Sequence, residues 1–360
     1  MKKVLSILLG LTSLLFSSMI TPALSQEHSP AHVGIVYPLS THGTKAGRFT
    51  NAFSLHALWG LSGGEKGLGL YGVGGMVKGN VTGLQAAGGF NHATGGLRGA
   101  QLSGVLNQVH YADAGAQLAG VLNLSRGSIP AQLAGVLNKS GGAVVFQAAG
   151  VANVADSAKA AQLAGVINIA NDVRGSQIAG LVNKAGNVSG VQLAGLLNIA
   201  DSSDYPIGII NIIKNGEKRI SVSTDENLST LVSFRSGGRK LYGIIGLGAN
   251  LLHPDIRYAA EAGLGIKLLQ HGTFRLDMEA SQLFATDFHG GEYAKNGLRI
   301  LPAVQVGSRL QLFGGPSINF MDSKNPDNGD LGGLTIWESQ RTDRYQSIFA
   351  GFTAGVHVVL

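Results

Sequence analysis

A motif of the form Gln-Leu-Ala-Gly-Val-Leu-Asn recurs through the middle of this chain, and a short fixed period constrains a fold more than any single residue does. Copies begin at Gln85, Gln101, Gln117, Gln132, Gln147, Gln162, Gln177 and Gln192, and they close on Asn91, Asn107, Asn123, Asn138, Asn153, Asn168, Asn183 and Asn198. The spacing is 16 residues for the first two steps and 15 for the rest. A degenerate copy precedes them between Tyr71 and Val77, and Pro206 to Asn211 reads as a shortened terminal one. Atypical end copies are expected of a capped array.

Within a copy the alternation has a period of two, as in a strand. In the last full copy, Val188, Gly190, Gln192, Ala194, Leu196 and Asn198 share one face, and Val191, Leu193, Gly195, Leu197 and Ile199 share the other. Between Val81 and Ala200 the only charges are Arg98, Asp113, Arg126, Lys139, Asp156, Lys159, Asp172, Arg174 and Lys184. Both faces therefore read as at least partly buried.

Two architectures satisfy this pattern. In a β-solenoid each copy is one coil, its Leu pair points inward, and the Gln and Asn residues stack as amide ladders. Ordering each backbone residue costs about 1–2 kcal/mol, and a buried Leu or Val returns only about 1.5–3 kcal/mol, so no coil stands alone. The alternative is one large antiparallel barrel of about twenty strands, with Leu facing lipid and Gln and Asn facing a lumen. The repeat block holds only Phe90, Tyr111 and Phe146 as aromatics, too few for interfacial girdles. Its connections are of equal length, whereas barrels alternate short turns with long loops. The solenoid is the favoured expectation. The repeat Gln and Asn residues are its structural ladder and also its candidate binding surface.

After Asn211 the texture changes, and alternating segments separated by polar turns predict antiparallel strands. Candidate strands run from Lys218 to Thr224, Thr230 to Arg235, Leu241 to Leu251, Tyr258 to Leu269, Thr273 to Phe284, Leu298 to Leu310, Gln311 to Phe320 and Ser347 to Leu360. Asp287 to Gly297 and Asp322 to Gly333 read as long loops. The terminus places Phe352, Ala354, Val356, Val358 and Leu360 on one face. It resembles the signal by which outer-membrane β-barrels are recognised for insertion, with Leu where an aromatic residue is usual. His32 to Leu39 and Asn51 to Gly60 also alternate, and are expected to help close the sheet.

Residues 1–25 read as a signal peptide: Lys2 and Lys3 precede an apolar stretch from Val4 to Ile20, and Ala23-Leu24-Ser25 offers small residues for cleavage before Gln26. The expected organisation is then N-terminal strands over 26–80, repeats over 81–211 and a barrel-like region over 212–360. Glycine accounts for 54 of 360 residues, roughly double the usual share, and charged residues for 13%, about half of it. Cysteine is absent, which excludes disulfides, thiolate nucleophiles, Cys-ligated metals and a lipoprotein anchor. The formal charge of +6 includes Lys2 and Lys3, and no basic run suggests nucleic acid.

The array from Gln85 to Asn198 resembles the bacterial surface-repeat proteins whose unit reads Gly-x-Gln-x-Ala-Gly-x-x-Asn. Gly99, Gly115, Gly175 and Gly190 hold the first position. The resemblance implies an exported, envelope-associated protein and brings no activity with it.

Motifs that carry chemistry are weak. Gly67-Leu68-Gly69-Leu70-Tyr71-Gly72 matches the dinucleotide fingerprint, but no helix follows to meet a pyrophosphate. Asp287, His289 and Glu292 share a loop without a metal-motif spacing. Asp322, Asn325, Asp327, Asn328 and Asp330 depart from the calcium-loop order, and Pro326 interrupts them. The expectation is an all-β, non-enzymatic protein of the outer membrane or cell surface, without cofactor. Its partners are outer-membrane lipid and, through the C-terminal strand, the barrel-assembly machinery. The alternative function is a pore for small polar solutes.

Overall fold

Successive copies lie side by side in parallel and in register. Gln117 pairs with Gln101 and with Gln132, and Asn123 pairs with Asn107 and with Asn138. The computed structural model describes residues 27–250, 257–288, 292–323, 333–341 and 344–360. Residues 1–25, expected to be a signal peptide, lie outside the described residues. One repeat is one coil: a longer strand such as Asn187–Ala194, a glycine corner, then a short strand such as Leu197–Ala200. About 11 turns stack into a parallel β-solenoid. Parallel neighbours exclude the twenty-strand antiparallel wall.

The corners explain the glycine. A Cβ on Gly150 would sit 2.2 Å from the carbonyl oxygen of Gly135, and one on Gly165 would sit 2.1 Å from that of Gly150. Coils stacked at the strand spacing of ~4.8 Å leave no room there for a side chain.

The coil interior is not what the alternation predicts. Every repeat Gln and Asn is fully buried, flanked by an apolar row that includes Val81, Leu97, Ile129, Val144, Val173 and Val188. The Leu residues expected inside point outward: Leu118 and Leu133 are 39% exposed and Leu193 is 40% exposed. The reason is electrostatic. Tight corners turn backbone carbonyls into the core, and a buried carbonyl needs a donor. Asn107 donates to the carbonyls of Gln101 (3.2 Å) and Leu118 (2.7 Å), and Gln101 donates to that of Gln108 (3.4 Å). Leucine in that position leaves those carbonyls unpaired.

The solenoid begins well before the recognisable repeats. Phe49–Ser62, Gly64–Tyr71 and Gly74–Val77 already form coils, and Glu27–Val36 covers the first of them in parallel register. The fingerprint-like glycines therefore lie in and just after the strand Gly64–Tyr71.

A closed eight-strand antiparallel barrel follows. Its strands are Lys218–Asp225, Ser229–Gly237, Leu241–Asn250, Tyr258–His271, Phe274–Thr286, Glu292–Val306, Leu310–Ser323 and Arg344–Val359. The last pairs back onto the first, Val359 opposite Arg219 and Thr353 opposite Asp225. Closure uses none of the N-terminal strands: Glu27–Val36 caps the solenoid, and Phe49–Ser62 belongs to its first coil. The strand expected from Leu298 starts at Glu292 and takes up much of the expected loop. An unexpected strand, Leu334–Arg341, forms a hairpin with the start of Arg344–Val359.

Barrel and solenoid seal each other. The connections at 238–240, 272–273 and 307–309 are short and lie at the end of the barrel where its termini meet. The last coil abuts this end. Arg239 and Lys240 donate backbone N–H groups to the carbonyls of Ser203 (3.3 Å) and Asp204 (3.4 Å), which lie on the open edge of that coil.

Candidate functional site

The repeat residues form two ladders of opposite polarity. Each Gln donates towards the N-terminal coil, Gln101 to Gln85 Oε1 at 2.9 Å and Gln147 to Gln132 Oε1 at 2.7 Å. Each Asn donates the other way, Asn91 to Asn107 Oδ1 at 3.0 Å and Asn138 to Asn153 Oδ1 at 2.9 Å. Their amide dipoles therefore oppose one another within the core. Because every member is fully buried, the ladders are inaccessible to a ligand in this state and act as core.

The barrel is polar inside and apolar outside. Arg219, Arg235, Arg275, Arg299, Glu261, Asp277 and Glu279 are all buried. Arg235 clasps Glu279 with two hydrogen bonds, at 2.8 and 3.1 Å. Arg299 donates to the same carboxylate at 2.8 Å, and the hydroxyl of Tyr242 lies 2.7 Å from it. Nearer the long loops, Lys295 pairs with Asp225 and with Glu226. An eight-strand barrel is just wide enough for side chains to fill, and here they do: a pocket among the upper interior residues measures about 20 Å³. Outward, Val222, Val232, Leu247, Leu298, Ile300, Leu312 and Ile318 are exposed. Tyr258, Phe284 and Phe320 are exposed near the long-loop ends. The terminal strand follows the same rule, with Phe352, Val358 and Leu360 exposed and Thr353 and His357 buried.

The first coils hold a different interior. The Gln row is replaced there by Ser54 and Gly69, and the space is taken by His56 and Tyr71, each opposite the other in register. The rings of His32 and His56 lie 4.4 Å apart, and those of His32 and His42 lie 4.5 Å apart. Burial, then the neighbouring His56 and His42, push His32 down to about 4. Burial lowers His42 and His56 as well. Burial raises the carboxyl of Glu65 even though Tyr71 (2.7 Å) and Ser54 (2.8 Å) donate to it. Neither ring nitrogen of His56 makes a hydrogen bond. Its signal in the sequence is four histidines in the stretch from His28 to His56.

A trough of about 1460 Å³ runs along the outside of the solenoid, with Leu55 and Leu70 at one end. Its floor is the row two residues after each Gln, from Ala87 through Ser103 to Ala164, and its wall is the outward row that includes Leu118, Leu133 and Ile178.

Most of the loop residues that could have held a metal are not among the described ones. His289, Asn325, Asp327, Asn328 and Asp330 lie outside the described residues, and Glu292 opens a strand. Among the described residues, no three His, Asp or Glu side chains are placed to hold a metal ion. Nor is any helix among them long and apolar enough to cross a membrane, which leaves crossing by strands open. Comparison with protein families, curated proteins and solved structures finds no match.

Proposed function

We propose that this is an exported outer-membrane protein with a structural or interaction role and no catalytic one, anchored by its C-terminal barrel. The observation that carries the reading is the inverted barrel: charges buried within, aliphatic side chains exposed without. In water such an exterior is a large uncovered apolar patch, whereas in a bilayer it matches the lipid-facing band of outer-membrane barrels. The leader and the C-terminal strand agree with it, since the one suits export and the other insertion by the barrel-assembly machinery.

Such barrels keep their short turns on the periplasmic side and their long loops outside. On that rule the solenoid, joined at the short turns, stands in the periplasm. The resemblance to surface-repeat proteins then describes the envelope and not the outer face of the cell. The pore reading has less support, because charged side chains fill the lumen and the Gln and Asn residues proposed to line it are solenoid core.

The absence of native cysteine makes the test simple. Single replacements Phe288→Cys, Ser308→Cys and Lys184→Cys are treated with a membrane-impermeant maleimide on intact cells. Phe288→Cys, beside a long loop, is expected to label at once, and the other two only after the outer membrane is permeabilised. Unprocessed product in the cytoplasm, or labelling in the reverse order, overturns the reading. Steady single-channel current from purified protein in planar bilayers restores the pore.

A further inference from the structure

We infer that Lys295 and Asp225 close an isopeptide bond inside the barrel, which the chain forms on itself with Glu226 as proton carrier. The three side chains meet in the lumen below the long loops, and each is at most 10% exposed. Lys295 Nζ donates to Asp225 Oδ2 and, at 3.0 Å, to Glu226 Oε1. The arrangement is that of the reactants. An amine held against a carboxyl carbon in this way behaves as if at very high local concentration.

Asp225 is held as an electrophile. Its Oδ1 accepts the backbone N–H groups of Asn227 (3.1 Å) and Ser229 (2.8 Å), so negative charge that develops on that oxygen when Cγ is attacked meets two fixed donors. The turn that aims them is strained. Leu228 has φ +54°, a left-handed conformation that a bulky residue rarely takes, and such strain collects where function requires it. Glu226 is equally fixed, because its Oε2 accepts the N–H of Phe352 at 3.1 Å.

The amine stem lies among apolar neighbours. Lys295 is opposite Leu283 on one adjacent strand and Met321 on the other, and both are buried. With Tyr293 and Phe349 they belong to one apolar cluster. Separated charges are costly in such surroundings, which favours passing a proton from Lys295 to Asp225 and so sets a neutral amine beside a neutral acid. A cavity of about 20 Å³ lined by Asp225, Lys295, Thr224 and Asn319 among others has room for one water, the by-product of the reaction.

The step balances without oxidant or reductant. The first proton passes from Nζ to Oδ2, Nζ attacks Cγ, the C–N bond forms, and charge develops on Oδ1. Glu226 takes a second proton from Nζ and delivers it to Oδ2, the Cγ–Oδ2 bond breaks, and water leaves. An ammonium and a carboxylate thus become one amide and one water. Lys267 shows what the other lysine pair in the barrel lacks: its partner Glu217 has Arg275 on both carboxylate oxygens, which holds it as an anion. The remaining cations in the lumen are arginines, whose guanidinium stays charged and is no nucleophile.

The test is mass spectrometry of the full mature chain, purified, denatured and weighed intact, then digested. The wild type is expected to be one water lighter than its sequence from the observed N-terminus, with a branched peptide that joins Asp225 to Lys295, 70 positions apart. Lys295→Arg keeps the charge pair but offers no amine to acylate, and is expected at its full sequence mass. Glu226→Gln is expected to slow bond formation by about a hundredfold or more, so that the unjoined mass dominates while heat-modifiable mobility shows a folded barrel. Lys267 is expected to be recovered unmodified. A wild type at full sequence mass, with Lys295 open to a lysine-specific protease, overturns the assignment. So does a loss of water that maps to another position or persists in Lys295→Arg.

Discussion

The side-chain amide of Asn198 donates to Asn211 Oδ1 across 2.9 Å, and the backbone N–H of Asn211 in turn donates to Ser236 Oγ of the barrel at 3.1 Å. The Asn ladder thus hands its last bond to the barrel wall. The Gln ladder has no such ending. Pro206 occupies the next place in register after Gln192 and offers no donor, so Gln192 Oε1 is left unpaired.

Pro206→Gln is expected to supply the missing donor and add one rung. A net gain of about 1 kcal/mol is anticipated, read as a higher denaturation midpoint of the purified protein. An unchanged or lower midpoint means that the proline's contact with Gly238 outweighs the rung.

Gly150→Ala drives a methyl group to 2.2 Å from a backbone oxygen that cannot move without parting two coils. A loss of roughly 2–4 kcal/mol is expected, in the range of severe overpacking. Gly272→Ala is the comparison: it meets no atom within 4 Å and carries only the strain of φ +57°, about 1–2 kcal/mol. Urea titration of the two variants should separate them.

Glu279→Gln leaves Arg235 and Arg299 without their shared carboxylate inside the barrel. Breaking a buried pair from one side costs about 3–5 kcal/mol. The expected result is a lower urea midpoint for loss of heat-modifiable electrophoretic mobility. Replacing both Glu279 and Arg235 by apolar residues of similar volume is expected to recover part of the loss.

Acid should loosen the N-terminal coils first. His32 titrates at about 4 when folded against 6.5 ordinarily, so the unfolded chain binds its proton more readily. The stability this group contributes is complete above pH 6.5 and disappears as pH falls towards 4, roughly 3 kcal/mol in all. His42 and His56 act in the same direction. Glu65, raised by burial, acts oppositely, since its contribution is present at low pH and lost as pH rises. Hydrogen exchange between pH 7 and 4 should show strands Glu27–Val36 and Phe49–Ser62 opening before the later coils, and His32→Asn should flatten that dependence.

The period, the strands and the change of texture after Asn211 were legible because they depend on spacing and alternation alone. The orientation of each coil was not. Both faces were free of charge, and only the inward carbonyls at the corners decide that Gln101 and Asn107 lie inside and Leu118 outside. His32 to Leu39 misled for a related reason, because a strand that covers a solenoid end alternates just as a barrel strand does. The strand Leu334–Arg341 follows a polar, glycine-rich stretch that hid its start. The trough was invisible for want of depth: Ala134 and Ala149 read as filler until neighbouring coils set them in a row.

Both ends of the array are closed by segments that contain no full repeat, Glu27–Val36 at one end and the 238–240 connection at the other. The interior coils are interchangeable, so duplicating or deleting one whole fifteen-residue unit leaves either closure intact and shifts one relative to the other by ~4.8 Å. Length is then a heritable dial, and a lineage can retune the reach of this arm in steps of one unit without redesigning either terminus.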